Sequence, residues 1–438
     1  GAGSFGTVWA AEVLSSRRPE AAGDAKDPEE GSWELAVKEI ICQSQQDLAV
    51  ARLEAELLRR LGPEELQGRE TCPAARCAFL RQPHIIQEDR IPVLVSSMTE
   101  TLGTELWRVR LAMTRVPGVP LDRYFEEQRK RGISQASTVC SSGSSGGDAS
   151  LNSIGSGCSA KARRFLEACH IARELVSQLS PVLGRIASVA YHRDVNSHNI
   201  MVDATRLRFG LVDFGLAVDI AKWRGPIGAS SWHLVDIGGD CRYWPMSAWL
   251  QFECGWQELA KYPTLAAEYR TRLDLHALGL VALQVVATLC PLSGPDEPET
   301  GLPEGVTALL VAWRQYWDDA TRLWARLLQC FRTGGDQDAL KVACATEGAH
   351  NTIGHNLAEL RAALREALQD FTNGFSESGS DARPLFGALL ELLCAGGASG
   401  FDEEQEAEAH LRPPPSWEAI AAMVGPEAGA PGLGRSST

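Results

Sequence analysis

The stretch Tyr191-His-Arg-Asp-Val-Asn-Ser-His-Asn-Ile-Met-Val202 carries the most specific pattern in the chain. It contains His-Arg-Asp, and four residues separate Asp194 from Asn199. A carboxylate at Asp194 can accept a proton from a hydroxyl nucleophile, and the amide oxygen of Asn199 can bind Mg²⁺. The pattern therefore predicts a catalytic loop. The alternative is an ordinary loop turn with a capping aspartate.

A second motif, Leu211-Val-Asp-Phe-Gly-Leu-Ala217, follows this stretch closely. Asp213 supplies a hard anionic oxygen, which suits a Mg²⁺ ion that bridges phosphate groups. Taken alone, this motif is also explained by a turn with a capping aspartate. Its position shortly after the first motif favours a shared site.

The first eight residues, Gly1-Ala-Gly-Ser-Phe-Gly-Thr-Val8, fit the pattern G-x-G-x-x-G-x-V. Glycines let backbone N–H groups approach phosphate oxygens without obstruction by side chains. The motif is weak by itself, because a glycine-rich turn between two strands explains it equally well.

A lysine follows in a β-type run, Ala36-Val-Lys-Glu39. Lys38 is positioned there to meet an anion in a cleft, although it could instead point to solvent. A lysine in a cleft needs a carboxylate to fix its direction, and the helix predicted over Leu48–Leu61 offers Glu54 and Glu56. Glu54 borders the apolar side of this helix and Glu56 lies off it, so we expect the pair Lys38–Glu54.

These four motifs, in this order, make the chain resemble a eukaryotic protein kinase catalytic domain of a divergent, serine/threonine type. The resemblance implies an α+β, bilobal protein-kinase-like fold. Residues 1–112 would form a small β-rich N-lobe, whose first strand is truncated because Gly1 is already the first loop glycine. Residues 113–424 would form the hinge and a large, mainly helical C-lobe with insertions, and residues 425–438 a disordered tail.

The resemblance also implies roles for individual residues. Asp194 would be the catalytic base, and Lys38, Glu54 and Asn199 the other catalytic residues. Asn199 and Asp213 would hold Mg²⁺. The residues implied in ATP binding are Gly1, Gly3, Ser4, Phe5, Gly6, Val8, Ala36, Lys38, Met113, Thr114, Val116, Met201 and Asp213.

Part of this nucleotide site comes from Leu111-Ala-Met-Thr-Arg-Val-Pro-Gly118, which resembles the hinge between kinase lobes. Met113 would be the gatekeeper, and Thr114 and Val116 would offer backbone groups to adenine. Asp274 resembles the buried aspartate that holds the catalytic loop. The side chains expected on the faces of the adenine ring are Val8, Ala36 and Met201.

The chain departs from the kinase pattern at two related positions. Asn196 stands where serine/threonine kinases usually carry a lysine, and Asp240 stands at the position of an activation-segment threonine. An asparagine amide can donate to an aspartate carboxylate, so we expect a rebuilt contact between Asn196 and Asp240. Arg242 is a candidate partner for the added charge. The alternative is that both positions changed in an inactive protein.

The A-P-E triplet of the kinase pattern is also missing, since Pro245-Met-Ser247 stands in its place. Its glutamate would normally pair with the arginine that matches Arg412. Glu253 is a possible substitute, and the alternative is a solvated Arg412.

Arg193 precedes the proposed catalytic Asp194. In kinases with this arginine, an activation-loop phosphate is often the counter-charge. Ser230 and Ser231 are the available loop hydroxyls. We therefore consider phosphorylation there, against the alternative of an ordinary serine pair.

Three insertions stretch the predicted catalytic unit: a polar loop at Ser15–Gly31, a flexible Ser/Gly-rich segment at Ser134–Ser159, and helices over about Leu302–Phe371. The helical insertion carries an aromatic stripe at helical spacing, which favours packed core. The alternative for this insertion is a docking surface for a partner protein.

Composition limits the partners of the protein. The 438 residues carry a formal charge of −14, which argues against nucleic acid or an anionic membrane as the main partner. No apolar run in the sequence reaches the length of a membrane span. The 12 cysteines include no Cys-x-x-Cys pair and fit free thiols in a reducing, intracellular and cytoplasmic setting.

We therefore expect a protein kinase that transfers the γ-phosphoryl group of MgATP to a serine or threonine hydroxyl of a protein substrate. The alternative is a pseudokinase, a nucleotide-binding or scaffolding module with the same fold. The missing lysine and the missing A-P-E favour this alternative, and the intact Lys38, Asp194, Asn199 and Asp213 oppose it. A small-molecule kinase fits less well with the forms of the two central motifs.

Overall fold

A computed structural model describes residues 2–3, 6–13, 33–63, 90–140, 160–224, 232–235, 237–292, 301–333, 348–372, 382–393 and 413–425. Among the sequence predictions, the loop at Ser15–Gly31, the serines 230 and 231, Arg412 and the tail beyond Gly425 lie outside these residues. In the described part, the chain is α+β, with a small antiparallel sheet region followed by a mostly helical remainder.

The main sheet has five antiparallel strands: β1 (Ala2–Gly3), β2 (Gly6–Val13), β3 (Trp33–Cys42), β4 (Leu94–Gly103) and β5 (Leu106–Thr114). Their order is β1-β2-β3-β5-β4. Three β-rich runs of the sequence, Thr7–Val13, Trp33–Ile41 and Ile91–Ser97, predict strands. The first two are close to the observed bounds of β2 and β3, whereas the third begins and ends earlier than β4, and the sequence does not predict β5.

Helix α1 (Gln45–Leu61) covers one face of this sheet. The side chain of Ser44 caps the helix by accepting a hydrogen bond from the main-chain N–H of Asp47 over 3.0 Å. Leu57 and Leu58 are fully buried in the core that α1 shares with the sheet. The apolar stripe seen in the sequence is therefore the face that packs on the strands.

Two small sheets follow and hold the loops with the central motifs. β6 (Val119–Pro120), β8 (Ile200–Asp203) and β9 (Arg208–Leu211) pair in the order β6-β8-β9. β7 (Ala190–Tyr191) pairs with β10 (Val218–Asp219). Residues 192–199 thus connect β7 to β8, and residues 212–217 connect β9 to β10.

The remainder of the described chain is built from helices. Their bounds are α2 (Leu121–Cys140), α3 (Ala160–Ala187), α4 (Ile220–Arg224), α5 (Met246–Cys254), α6 (Trp256–Leu259), α7 (Pro263–Thr271), α8 (Leu273–Leu289), α9 (Glu304–Arg332), α10 (Ala349–Thr372), α11 (Arg383–Leu393) and α12 (Trp417–Val424). Short 3-10 turns occur at Trp232–Leu234 and Cys241–Tyr243.

Helix α8 lies at the centre of the helical part and packs against α3 and α11. Its residues from Asp274 to Val286 are all buried, which explains the apolar run in the sequence. No single helix among the described residues is long and apolar enough to span a membrane. The pair α7 and α8, bent by 75°, meets that criterion only jointly, by length and composition.

The prediction of a flexible segment from Ser134 is wrong for residues 134–140, because helix α2 continues to Cys140. The good helix formers Glu126–Lys130 extend this helix into the serine-rich residues. Residues 141–159 lie outside the described part of the chain. The prediction of helices from Leu302 onward is confirmed for α9 to α12.

Candidate functional site

Lys38 lies on β3, opposite Val8 of β2 on one side and Leu111 of β5 on the other. Its Nζ is 2.7 Å from Oε1 and 2.9 Å from Oε2 of Glu54 on α1. Lys38 and Glu54 are 5% and 3% exposed. The predicted pair is present, and the competing Glu56 pairs with Arg59 at the surface instead.

The same lysine reaches a residue far along the chain. Lys38 Nζ also donates to Oδ1 of Asp213, at 2.7 Å. Burial tends to lower the pKa of Lys38, but the charges of Glu54 and Asp213 outweigh it and raise that pKa. Burial tends to raise the pKa of Asp213, but Lys38 holds it below its ordinary value. Lys38 and Asp213 are therefore both charged near neutral pH. Burial raises the pKa of the third group, Glu54.

Asp213 is held in an uncommon backbone conformation. Its φ is +66°, in the left-handed region that costs a residue with a side chain of order 1–3 kcal/mol. The N–H of Gly215 donates to Asp213 Oδ1 over 3.1 Å. The ring of the neighbouring Phe214 packs edge-on against the ring of His192, with 4.9 Å between the ring centroids. These contacts fix the direction of the Asp213 carboxylate.

The carboxylate of Asp194 accepts hydrogen bonds on both oxygens. Oδ1 accepts from Asn196 Nδ2 at 2.7 Å and from the main-chain N–H of Asp240 at 3.2 Å. Oδ2 accepts from Asn199 Nδ2 at 2.8 Å. Burial raises the pKa of Asp194 above its ordinary value.

The prediction of a direct contact between Asn196 and Asp240 is wrong. Both are described residues, and each bonds to Asp194 rather than to the other. The turn at 196–199 explains this, because Asn196 Oδ1 accepts from the main-chain N–H groups of His198 and Asn199 and so directs Nδ2 towards Asp194. The Asp240 carboxylate is bonded by Arg242, as expected.

Asp274, the second residue of α8, holds the loop that carries Asp194 through hydrogen bonds to its main chain. Asp274 is 4% exposed and accepts from the main-chain N–H groups of His192 at 2.9 Å and Arg193 at 2.8 Å. Arg193 has a φ of +65°, which this double contact stabilises. The guanidinium of Arg193 lies 5.2 Å from the ring centroid of Trp223.

A cavity of about 380 Å³ opens beside Lys38, between the main sheet and the small sheet β6-β8-β9. This volume lies in the range of small-molecule sites. The predicted residues that line it are Val8, Ala36, Lys38, Glu54, Met113, Thr114, Val116, Asn199, Met201 and Asp213. Asp194 is not in this lining, but its bond to Asn199 places it at the rim.

The cavity also fits the group that the sequence implies. Its lining includes apolar side chains, as an aromatic ring requires, together with the polar side chains of Lys38, Asp213 and Asn199. At the β5 end, the N–H of Thr114 donates to the Val93 carbonyl, so a ligand would not meet that N–H. Val116 makes no main-chain hydrogen bond within the described residues.

Asn199 and Asp213 are the residues that could hold a metal ion. Nδ2 of Asn199 donates to Asp194, which leaves the amide oxygen of Asn199 as the free acceptor of that side chain. Among the described residues, no group of three or more His, Cys, Asp or Glu side chains is arranged for a metal. The two-ligand set suits Mg²⁺, which keeps several waters and substrate phosphates as further ligands.

The glycine motif is only partly described, since Gly1, Ser4 and Phe5 lie outside the described residues. Gly3 pairs with Gly6 where β1 and β2 meet. Gly6 has a φ of +153°, and a Cβ there would lie 2.2 Å from the carbonyl oxygen of Glu39. Gly6 lines a second groove of about 600 Å³, which it shares with Glu54 and Gly215.

Sequence reasoning missed several residues of the site. Trp9 and Pro92 line the cavity, and Val212 lies next to Asp213 in the same wall. Val212 could have been found from its position in the second motif, but Trp9 and Pro92 carry no local signal. Glu253, the possible partner of Arg412, accepts from the main-chain N–H of His350 at 3.0 Å and contacts its ring, and Arg412 itself lies outside the described residues.

No protein-family model matches the chain, and a search of curated proteins finds no match either.

Proposed function

We propose that the protein is an ATP- and Mg²⁺-dependent protein kinase, with serine or threonine hydroxyls as acceptors. The single observation that carries this proposal is the position of Lys38, which bonds both Glu54 and Asp213 on the wall of the cavity. A buried lysine held between two carboxylates, one from a helix and one from a distant loop, is arranged to bind phosphate beside a metal.

The two parts of the fold correspond to the two lobes that a kinase would have. The five-stranded sheet with α1 corresponds to the expected N-lobe, and the helical remainder to the expected C-lobe. Lys38 and Glu54 belong to the first part, Asp194 and Asp213 to the second, and the cavity lies between them. Under this proposal the fold is bilobal and kinase-like.

The mechanism assigns each residue one task. Lys38 binds phosphate oxygens, and Glu54 holds its ammonium in direction. Asp194 orients the acceptor hydroxyl and takes its proton as the oxygen attacks the γ-phosphorus and the bond to the β-phosphate oxygen breaks. Asn199 and Asp213 offer oxygen ligands to Mg²⁺, which when bound neutralises charge on the phosphates.

Transfer of labelled phosphate tests the proposal. The protein is incubated with γ-labelled ATP, Mg²⁺ and generic protein substrates, beside an Asp213→Asn variant as the matched control. We expect transfer by the parent and a loss of at least about a hundredfold in the variant. Equal transfer by parent and variant would contradict the assignment of this site.

A second candidate function is a pseudokinase that binds nucleotide without transfer. The observation that favours it is the crowding of Asp194, which accepts from Asn196, Asn199 and Asp240. Nucleotide binding by the parent with no transfer to any substrate or to itself, at several divalent-ion concentrations, would select this candidate. The kinase remains our proposal because Asp194 Oδ2 accepts only one of these bonds.

A further inference from the structure

Residues 237–245 pass close to the loop of Asp194. The main-chain N–H of Asp240 donates to Asp194 Oδ1, and Gly239 precedes it with a φ of +93°. A Cβ on Gly239 would lie 2.8 Å from the carbonyl oxygen of Arg193 and 2.9 Å from Asp194 Oδ1. Because Asp240 bonds Asp194 directly, a shift of Asp240 would change the hydrogen bonding of Asp194 Oδ1.

Arg242 ties this segment to helix α9. Its Nε donates to the carboxylate of Asp240, at 2.9 Å from Oδ1 and 3.1 Å from Oδ2. The same guanidinium lies over the rings of Trp317 and Trp324 on α9, with Cζ 5.2 Å and 6.0 Å from their centroids. Contacts of this kind are attractive, because the negative face of the aromatic ring attracts the guanidinium cation.

Two tyrosines, Tyr316 and Tyr243, add further connections. Tyr316 of α9 is fully buried and donates to the carbonyl oxygen of Arg242 over 2.7 Å. The ring of Tyr243 packs edge-on against the ring of Trp317, with 5.5 Å between the ring centroids. Its hydroxyl donates to Gln284 of α8 over 2.7 Å and lies 3.0 Å from Oγ of Ser197 in the Asp194 loop.

We propose that helix α9 clamps residues 240–243 against the Asp194 loop, so that Asp194 is held in position without phosphorylation of the protein. Arg242 and Trp317 are the positioning residues of this clamp. The stacking of Arg193 on Trp223 agrees with it, because that arginine is already packed within the protein. The inference deepens the proposed kinase activity and rests on it for its catalytic consequence.

The clamp gives the helical insertion a positioning role, in addition to the packed core or the docking surface considered from the sequence. Helix α9 packs against α10. The buried Asn356 of α10 donates to Asp319 of α9 over 2.8 Å. Trp313 and Tyr316 of α9 are buried in the core, as the spacing of the aromatic stripe predicts, and Trp317 and Trp324 are partly buried against it. Part of that core is formed with residues 240–243, which contact Asp194.

The test compares Trp317→Ala and Trp317→Phe with the parent, all treated with a broad phosphatase that is then removed. Val311→Ala is the matched control, because Val311 lies on the same helix and is 54% exposed. Arg242→Gln serves as a second clamp variant if Trp317→Ala fails to fold. The readouts are kcat, KM for ATP, and hydrogen exchange of the peptides that cover residues 192–199 and 237–245.

We expect the phosphatase-treated parent to keep its rate within about twofold of the untreated protein, because the clamp needs no phosphate. Trp317→Ala should lower kcat by about tenfold or more with little change in KM for ATP, since misplacement of a catalytic group acts on the chemical step. Trp317→Phe should recover most of this loss, and Val311→Ala should match the parent. Exchange should accelerate in both peptides of Trp317→Ala.

Two results would overturn the clamp: loss of the parent's activity on phosphatase treatment, or unchanged kcat and exchange in both Trp317→Ala and Arg242→Gln. A parent that transfers no phosphate before or after treatment would contradict the proposed function instead. Hydrogen exchange then decides on the clamp alone, because faster exchange in the variants supports it and unchanged exchange refutes it.

Discussion

Asn196 Nδ2 donates a hydrogen bond to Asp194 Oδ1 over 2.7 Å. The amide therefore directs the carboxylate that is the proposed catalytic base. Asn196 also closes its own turn, because its Oδ1 accepts from the main-chain N–H groups of His198 and Asn199 at 2.9 Å and 3.0 Å. One side chain thus holds both the loop and its functional group.

Replacement Asn196→Ala should lower both stability and phosphoryl transfer. The buried acceptor of the turn is lost, so we expect the free energy of unfolding to fall by about 1–3 kcal/mol. Urea unfolding and initial transfer rates measure the two effects. Thr205→Ala is the control, because Thr205 makes a similar local bond to Asp203 in an exposed turn and should change stability by less than about 0.5 kcal/mol. Equal stability losses in the two variants would contradict the role of Asn196.

Replacement Lys38→Met should destabilise the protein as well as abolish transfer. It removes the cation that lies between Glu54 and Asp213, and it leaves the buried carboxylate of Glu54 and the partly buried carboxylate of Asp213 without that cation. Breaking a buried pair in this way costs about 3–5 kcal/mol, measured by urea unfolding at neutral pH. Lys261→Met is the control, since Lys261 pairs with Glu258 at the surface and such pairs contribute about 0–1 kcal/mol. A loss below 1 kcal/mol at Lys38 would argue against a buried ion pair.

The bond between Lys38 and Asp213 predicts a pH dependence of stability. The folded-state pKa of Asp213 lies below the ordinary value of 3.8, so its ionised form stabilises the protein above that pH. This contribution is lost as the pH falls from 3.8 through the lower folded-state pKa. The difference in unfolding free energy between the parent and Asp213→Asn should be constant from about pH 7 to pH 5 and shrink below pH 4. A difference that grows on acidification has the wrong sign for this account.

Replacement Gly239→Ala should reduce transfer more than binding of nucleotide. The new Cβ would press against Arg193 O and Asp194 Oδ1, and the φ of +93° disfavours any side chain. We expect kcat to fall by at least about tenfold, since Asp194 must move. Gly103→Ala is the matched control, because a Cβ there meets nothing within 4 Å and should leave kcat unchanged. Similar rates for both variants would show that residues 237–245 do not restrain Asp194.

Much of the site could be predicted from the sequence because its parts are local. Lys38 lies within a strand motif, and Glu54 is identified by the face of a single helix. The two loop motifs carry their functional groups at fixed spacings. The anchor Asp274 starts a helix whose apolar character is evident in the sequence, and the structure shows the main-chain bonds expected of it.

The rest depends on contacts between segments that are distant in the sequence. The partner of Asn196 is decided by a turn hydrogen bond to His198 and Asn199, which residue types alone do not reveal. The stripe of Trp317 predicts a buried face but not the segment that covers it. Helix α2 also continues to Cys140, through residues whose composition resembles a linker.

The most direct test of the proposed catalytic role of Asp194 is single-turnover transfer from γ-labelled ATP by the parent and by Asp194→Asn, with nucleotide binding measured on both. We predict that both bind MgATP with affinities within about threefold of each other, because Asp194 lies outside the cavity lining. The parent should transfer phosphate to protein hydroxyls, and the variant should do so at least about a hundredfold more slowly. Absence of MgATP binding by the parent, or equal transfer by both proteins, would contradict the central claim.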